Sequence, residues 1–438
     1  MSHQTARVKL WGELVGALAL DKTTGFATFE YSPEWLASGV EIAPIYMPLA
    51  PRKYTFPALN PDTYLGLPAA FADSLPDDFG NAVINAWLAR QGRSGASFTA
   101  VERLLYTGSR GMGALEYAPA LRGRGRNPVG ALQLDSLVEM AQRVLDQRSG
   151  LQLERNDQEE NGLETILQLG TSAGGARAKA VIAVNPQRTS IRSGQLTAPN
   201  GFEHYLLKFD GVSEKRSDSQ TFGDPKGYGL MEYTYYLMAT DAGIDMSPSE
   251  LLRENGRAHF MTKRFDRDGN EKVHLSSLCA LDHADYKKPG SYSYEELFAV
   301  ARRLRLSRAE ALEIYRRMVF NVVARNQDDH AKNFAFLLHK GDPKWRLAPA
   351  YDIAYSYRKD SPWVETHQLS LNGKRDDFVR ADLHQVARTC IGHFSQKAAD
   401  EIIDRTIAVV AEWNRYAQQV GVFPALQREI QNNLRLQL

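Results

Sequence analysis

The sequence predicts an α+β protein, rich in strands at its start and mainly helical towards its end. Three observations predict this. From Val8 to Tyr31 apolar residues alternate with others, the period of a half-buried strand. Between Leu163 and Leu278, short apolar or β-branched runs recur between clusters of Gly, Ser and Pro, the punctuation of turns. Beyond Tyr292 the apolar positions fall three and four apart, the spacing of one helix face. The chain has 438 residues, 43% hydrophobic and 24% charged. That is enough for two or three domains with a large core, and it excludes long disorder.

The elements follow in order. "VKLWGELVGALALDKTTGFATFEY" is a small β-rich unit with a turn near Asp21–Gly25. "LPDDFGNAVINAWLARQG" is a helix that Gly92 stops. A loop-rich region ends in "LRGRGRNPVG", where Arg122, Arg124 and Arg126 alternate with glycines, and a domain boundary is expected between there and Gly150. "LETILQLGTSAGGARAKAVIAVN" gives an apolar segment, a small-residue loop and a strand at Ala180–Asn185. "HYLLKFD" is a second strand, and "GYGLMEYTYYLMATDAGI" a helix with Gly243 near its end. "HFMTKRFDRDGNEKVHLSSL" reads as two strands about an Asp268-Gly269 turn. "SRAEALEIYRRMVFNVVARN" opens with Ser307 and Glu310, a capping box, and should end near Asn326. The expected domains are 1–140, 141–262 and 263–438.

Bulk properties narrow the function. Lys and Arg number 53 against 52 Asp and Glu, so only a local patch such as Arg122–Arg126 offers contact with nucleic-acid phosphates. Two cysteines, Cys279 and Cys390, make neither a disulfide framework nor a zinc site, and they suit a reducing compartment. The N-terminus lacks the apolar core of a signal peptide, and no window reaches the ~18 apolar residues of a membrane span. A cytosolic protein is expected.

The densest chemistry lies in "NQDDHAKNFAFLL". Asp328, Asp329, His330, Lys332 and Asn333 are crowded between a helix and an apolar run. The next segment reads as a hairpin, Phe334–His339 and Trp345–Ala350, turning at Lys340-Gly341-Asp342-Pro343. Residues entering the first arm of a hairpin lie beside those leaving the second. Asp328–Asn333 and Tyr351-Asp352 should therefore meet, bringing Asp328, Asp329, Asp352 and Asn333 together. Such a cluster invites a divalent cation. A base, an Asn and an Asp as hard oxygen ligands for Mg²⁺, and positioned phosphates are the parts of phosphoryl transfer. An Asp, an Asn five residues on, a hairpin and a second Asp parallel the catalytic loop and metal-binding Asp of protein kinases. Asp328 is then the base, with Asn333 and Asp352 on Mg²⁺. Lys332 neutralises charge near the transferred phosphoryl. By chemistry alone Asp329 serves equally as the base. His330 receives no catalytic role. The bland alternative is a solvated turn, with Asp352 as a helix cap.

An ATP site is expected upstream. The amides of Gly170–Lys179, including Ser172, Ala173, Gly174 and Gly175, form a loop that can cradle phosphates, and Lys179 closes it. The loop does not read as a Walker motif. Lys208, central in an apolar strand, wants an anion, or else snorkels to the surface. Glu232 in the next helix is a candidate partner for it, or part of a solvated face. Lys263 and Phe265 stand at a possible adenine hinge, though a core phenylalanine is the default for Phe265.

In order and spacing, "TSAGGARAK", "YLLKFD", "HFMTKRFDR", "NQDDHAKNFAFL" and "LAPAYDIAYS" resemble the HipA family, bacterial type II toxin kinases. "VKLWGELVGAL" and "YTGSRGMGALEYAP" resemble its N-terminal region, so the likeness spans nearly the whole chain. The resemblance implies a two-lobed fold related to protein and phosphoinositide kinases, with a β-rich N-terminal subdomain and a mainly helical C-terminal lobe. It implies ATP–Mg²⁺-dependent Ser/Thr phosphorylation of an aminoacyl-tRNA synthetase, leading to growth arrest and drug-tolerant persistence. It implies a HipB-like helix-turn-helix antitoxin that contacts operator DNA, and a bacterial cytoplasmic location. Asp328 matches the catalytic aspartate, Asn333 and Asp352 the metal ligands, Lys208 the nucleotide lysine and Ser172 the autophosphorylated serine. A phosphate on Ser172 would add nearly two negative charges to a loop meant to hold ATP. Lys263 departs from the acidic residue expected at the hinge. The readings from other classes are a catalytically inactive kinase-like partner in a DNA-bound antitoxin complex, and a small-molecule kinase.

Overall fold

The computed structural model describes residues 3–121, 137–139, 141–143, 177–195, 197–214, 222–223 and 226–438. Ser172, Ala173, Gly174, Gly175 and the Arg122–Arg126 loop lie outside the described residues. The chain forms two units. The first comprises Met1–Ile42, Met47–Gly229 and Pro248–Leu275; the second comprises Ala43–Tyr46, Leu230–Ser247 and Ser276–Leu438.

The first unit contains two five-stranded antiparallel sheets. In one, β1 (Thr5–Leu10), β2 (Glu13–Leu20), β3 (Ala27–Tyr31), β4 (Lys53–Tyr54) and β5 (Leu115–Ala118) lie in the order β4-β3-β2-β1-β5. The alternation read from the sequence is the burial pattern of β1, where Ala6, Val8 and Leu10 point inward. The turn after β2 is closed by Asp21, whose Oδ1 accepts the Thr23 N–H at 2.8 Å. In the other sheet, β6 (Lys179–Val184), β7 (Ile191–Ser193), β8 (Glu203–Lys208), β9 (Ser249–Glu254) and β10 (Arg257–Lys263) lie in the order β9-β10-β8-β6-β7. The predicted strand at 180–185 and the strand in "HYLLKFD" are β6 and β8.

The predicted first helix is Asp78–Arg90, capped at its start by Asp77 and followed by Gly92 at φ 70°. Its Phe79, Val83, Ile84 and Leu88 pack with Ala180, Ile182 and Val184 of β6 and with Leu207 and Phe209. β6 is an inner strand, paired on both sides, and is buried along its whole length, which explains its unbroken apolar run. The helix Tyr228–Asp241 begins hard against β10. A Cβ on Gly229 would come within 2.0 Å of the Ala258 carbonyl oxygen, so only glycine allows that approach.

The Asp268-Gly269 turn differs from expectation. Only Arg267–Asp268 and Glu271–Lys272 pair across it, while β10 and the strand His274–Ser277 belong to different sheets. The cause is Asp266. Its buried carboxylate takes hydrogen bonds from Arg264, from Arg267 and from the Gly113 N–H at 2.6 Å, and so it bends the chain out of the sheet. Those two guanidinium groups outweigh its burial and hold its pKa well below the usual carboxylate range.

The second unit is mainly helical. Tyr294–Arg303 and Gln396–Ala411 pack on the helix Arg308–Val323, and the helices Arg380–Cys390, Trp413–Val420 and Pro424–Asn433 belong to the same unit. Tyr235 packs on Phe320 and Trp413 at ring distances of 6.2 and 5.7 Å. A three-stranded sheet is formed by His274–Ser277, Ala335–Leu338 and Trp345–Leu347. Neither cysteine is in a disulfide. Among the described residues no helix is long and apolar enough to cross a membrane.

Candidate active site

The central helix sets one end of the site. Ser307 and Glu310 form the predicted capping box, with the Ser307 N–H donating to Glu310 Oε2 at 2.7 Å. The other oxygen, Oε1, accepts the Leu347 N–H at 2.8 Å and so ties the helix start to the hairpin. Two turns on, buried Arg317 donates to Glu313 at 2.9 Å and to the Ala348 carbonyl at 2.9 Å. The helix stops at Val323, three residues before the expected Asn326, because Arg325 takes φ 56° and turns the chain.

The hairpin Ala335–Leu338 and Trp345–Leu347 turns at Gly341, φ 80°. Its open end is closed twice. The Ala348 N–H donates to the Ala335 carbonyl at 2.9 Å, and the Tyr351 hydroxyl donates to the Lys332 carbonyl at 2.5 Å. Tyr351-Asp352 thus meets the Asp328–Asn333 segment, as hairpin geometry predicts. On the other side, the Ala350 N–H donates to the Asp245 carbonyl at 2.8 Å. Asp352 sits at φ 52°, a left-handed conformation uncommon for a residue with a side chain.

The two adjacent carboxylates have opposite environments. Asp329 is buried. Its Oδ2 accepts Tyr294 O–H at 2.6 Å and faces His367 Nδ1 at 2.8 Å, while its Oδ1 accepts the Gln368 N–H at 2.8 Å. Burial works to raise its pKa, but His367, Tyr294 and the Gln368 amide outweigh that and hold it low. Both oxygens of Asp329 are engaged, and it anchors the loop to the core. The Asp328 side chain is 46% exposed, with His330 Nε2 3.8 Å from its Oδ1. The expected convergence of three carboxylates is therefore corrected, because Asp329 turns inward to its own partners. Among the described residues no group of three or more His, Cys, Asp or Glu side chains is arranged to hold a metal.

Asn333 Nδ2 donates to the Asp328 carbonyl at 2.8 Å. Asn333 and Asp352 thus offer hard oxygens of the kind Mg²⁺ accepts when waters and phosphates complete its shell. Lys332 lies over Tyr286, its Nζ 4.9 Å from the ring centroid, and His330 rests 5.6 Å from the same ring. The Tyr286 loop carried no sequence signal of this contact.

The first unit holds the upstream candidates. Lys208 is buried at the end of β8, opposite Phe260, with its Nζ 5.7 Å from that ring. Lys179 is buried opposite Lys208 on β6 and faces Asp77 at 3.3 Å. Lys263 pairs with Glu203 at 2.5 Å, so its ammonium has an acidic neighbour on the adjoining strand. At the possible hinge, the Lys263 and Arg264 amides donate to the Pro248 and His204 carbonyls, both at 2.8 Å. Phe265 is half-buried there. Glu232 is buried on its helix. Asp77, His367 and Tyr294 were not legible as site neighbours, since each acts on a residue far along the chain.

With this geometry in hand, comparison with known proteins defines the class. Residues 6–118 match the HipA N-terminal domain and residues 171–413 the HipA-like C-terminal domain, the second more than half of the chain. The chain belongs to the HipA family. Its structure resembles that of HipA in the Shewanella oneidensis MR-1 complex of HipA, HipB and operator DNA, with a TM-score of 0.62 over 98% of this chain and 95% of that one, at 14% identity. That likeness shows the fold. Protein Y4mE of Sinorhizobium fredii (strain NBRC 101917 / NGR234), provisionally named a kinase, is 30% identical over 137 residues, 28% of this chain. The match spans about a third, 32%, of that relative's length. The Helicobacter pylori proinflammatory kinase CtkA aligns at a TM-score of 0.31 and 12% identity, over 51% of this chain and 93% of its own.

Proposed function

We propose that the chain is a serine/threonine protein kinase of a HipA-like toxin–antitoxin system, using ATP and Mg²⁺. One observation carries this reading: of two adjacent aspartates, Asp329 is locked in the core while Asp328 stays open beside Asn333, at the hairpin end that also holds Asp352. A solvated turn needs no such division. Asp328 takes the proton of the acceptor hydroxyl, Asn333 and Asp352 hold the metal, and Lys332 neutralises charge on the phosphoryl group. Lys179, Lys208 and the amides from Ser172 to Gly175 bind the phosphates, and Lys263 and Phe265 border the adenine.

The HipA–HipB–operator neighbour supports a HipB-like helix-turn-helix antitoxin as partner, with DNA contacted mainly through it. The protein substrate is an aminoacyl-tRNA synthetase. Phosphorylation of Ser172 switches the enzyme off, and the cell it arrests is bacterial, with the enzyme in the cytoplasm.

The test is incubation of the full chain with labelled ATP and Mg²⁺, followed by mapping of the label. Label on Ser172, lost in Asp328→Asn and after chelation of Mg²⁺, supports the proposal. Nucleotide binding without transfer would instead favour an inactive module in a DNA-bound complex. Absence of both would end the kinase reading.

A further inference from the structure

We propose that Asp77 restrains Lys179 in the unliganded protein and so sets the affinity for the nucleotide phosphates. The inference rests on the reading above that Lys179 and Lys208 bind those phosphates. It gives the N-terminal family domain a part in nucleotide binding, since Asp77 lies in the 6–118 match and Lys179 in the 171–413 match.

Lys179 and Lys208 are directly opposed on neighbouring antiparallel strands, so their side chains leave the same face of the sheet. Both residues are buried. Like charges in that relation repel, and each buried ammonium requires an anion. For Lys179 the structure supplies Asp77, with Nζ 3.3 Å from Oδ2 and both side chains 3% exposed.

The two oxygens of Asp77 do different work. Oδ1 caps the helix Asp78–Arg90 by accepting the Gly80 N–H at 2.6 Å. Oδ2 faces the Lys179 ammonium at 3.3 Å, so the attraction between the two charges holds the lysine towards Asp77. Burial pushes the Asp77 carboxyl up to about 6 despite the lysine, which marks the carboxylate as poorly solvated. A triphosphate brings several oxygens and a larger negative charge, and it can engage Lys179 and Lys208 together. Binding then requires Lys179 to leave Asp77, which weakens the observed affinity.

The helix cap and the charge can be separated. Asparagine caps a helix as well as aspartate does, so Asp77→Asn keeps the Gly80 contact and removes only the attraction for Lys179. Asp77→Ser is a second neutral cap. The experiment measures the Kd of a non-hydrolysable ATP analogue with Mg²⁺, for the full chain, both Asp77 variants, Lys179→Gln and the double variant Asp77→Asn/Lys179→Gln. The expected result is binding tightened about five- to ten-fold in the neutral-cap variants, an energy of the size of one partly screened charge contact. Lys179→Gln should weaken binding, and Asp77→Asn should have no effect in its background. A variant damaged only in folding would lose affinity, so a gain cannot come from structural harm. Unchanged or weaker binding in both folded Asp77 variants overturns the inference while leaving the kinase reading intact. If the unmodified chain binds no nucleotide, the phosphate-site reading fails and this inference falls with it.

Discussion

The hydroxyl of Tyr351 donates to the backbone carbonyl of Lys332 at 2.5 Å, joining two stretches that the hairpin separates in sequence. One lies between Asp328 and Asn333, and the other continues into Asp352. Tyr351→Phe removes the donor and leaves the ring. Loss of the contact should cost about 1 kcal/mol of stability. Displacing Asp352 should lower kcat roughly ten-fold, with KM for ATP little changed. Steady-state kinetics alongside thermal unfolding would check both. An unaltered kcat would show that Asp352 keeps its place without this clip.

The neighbours Asp328 and Asp329 should separate under mutation. Asp328→Asn alters a side chain 46% exposed, so stability should stay within about 0.5 kcal/mol. Phosphoryl transfer should fall by roughly 10²–10⁴, the usual contribution of a positioned base. Asp329→Asn should do the reverse first. It disrupts hydrogen bonds from Tyr294, His367 and Gln368 and should cost about 2–4 kcal/mol. Denaturant midpoints and label transfer measured on both variants would expose an exchange of these roles.

Arg317→Met should be among the most harmful single changes. It takes the buried arginine from Glu313, leaving that carboxylate only Arg316 at 3.3 Å and the Asp245 N–H at 3.0 Å, and removes the donor to the Ala348 carbonyl. A broken buried pair costs about 3–5 kcal/mol. Pairing it with Glu313→Leu should restore part of that loss, read as a double-mutant cycle in urea.

Stability should fall as pH falls from neutral, and two groups give the sign. Burial lowers His274 from 6.5 to about 4, so its contribution is complete above about 6.5 and disappears as pH falls towards 4. Asp329 is also held low, so its share is present above the unfolded carboxylate range and is lost at still lower pH. Between pH 7 and 4.5, His274 should account for roughly 2 kcal/mol. His274→Gln can still donate to the Ile42 carbonyl, which His274 Nε2 meets at 3.1 Å, and it should flatten this part of the profile. An unchanged profile in that variant would remove His274 as the cause.

The parts that were legible in the sequence were local or followed from simple geometry. Ser307 and Glu310 sit three residues apart and form the cap that spacing implies. The Gly341 turn, the two arms beside it and the meeting of their outer ends follow from hairpin rules. The role of Asp329 was not legible, because its partners Tyr294, His367 and Gln368 lie 35, 38 and 39 residues away. No pattern in "QDDHAKN" says which aspartate faces the core. The early end of the central helix was hidden for a similar reason, since Arg325, at φ 56°, is held by its Nε donating to the Asn433 carbonyl, 108 residues on. Lys179 read as a loop lysine because its acidic neighbour belongs to a distant helix cap.

The chain passes from one unit to the other after Ile42, returns at Met47, leaves again after Gly229, returns at Pro248 and leaves finally after Leu275. No single scission can free either body whole. A cut between the two family matches would leave the C-terminal fragment without Ala43–Tyr46 and the N-terminal one without Pro248–Leu275. Half-length expression products should therefore be insoluble or unfolded, and natural rearrangement of this gene by swapping halves should be rare.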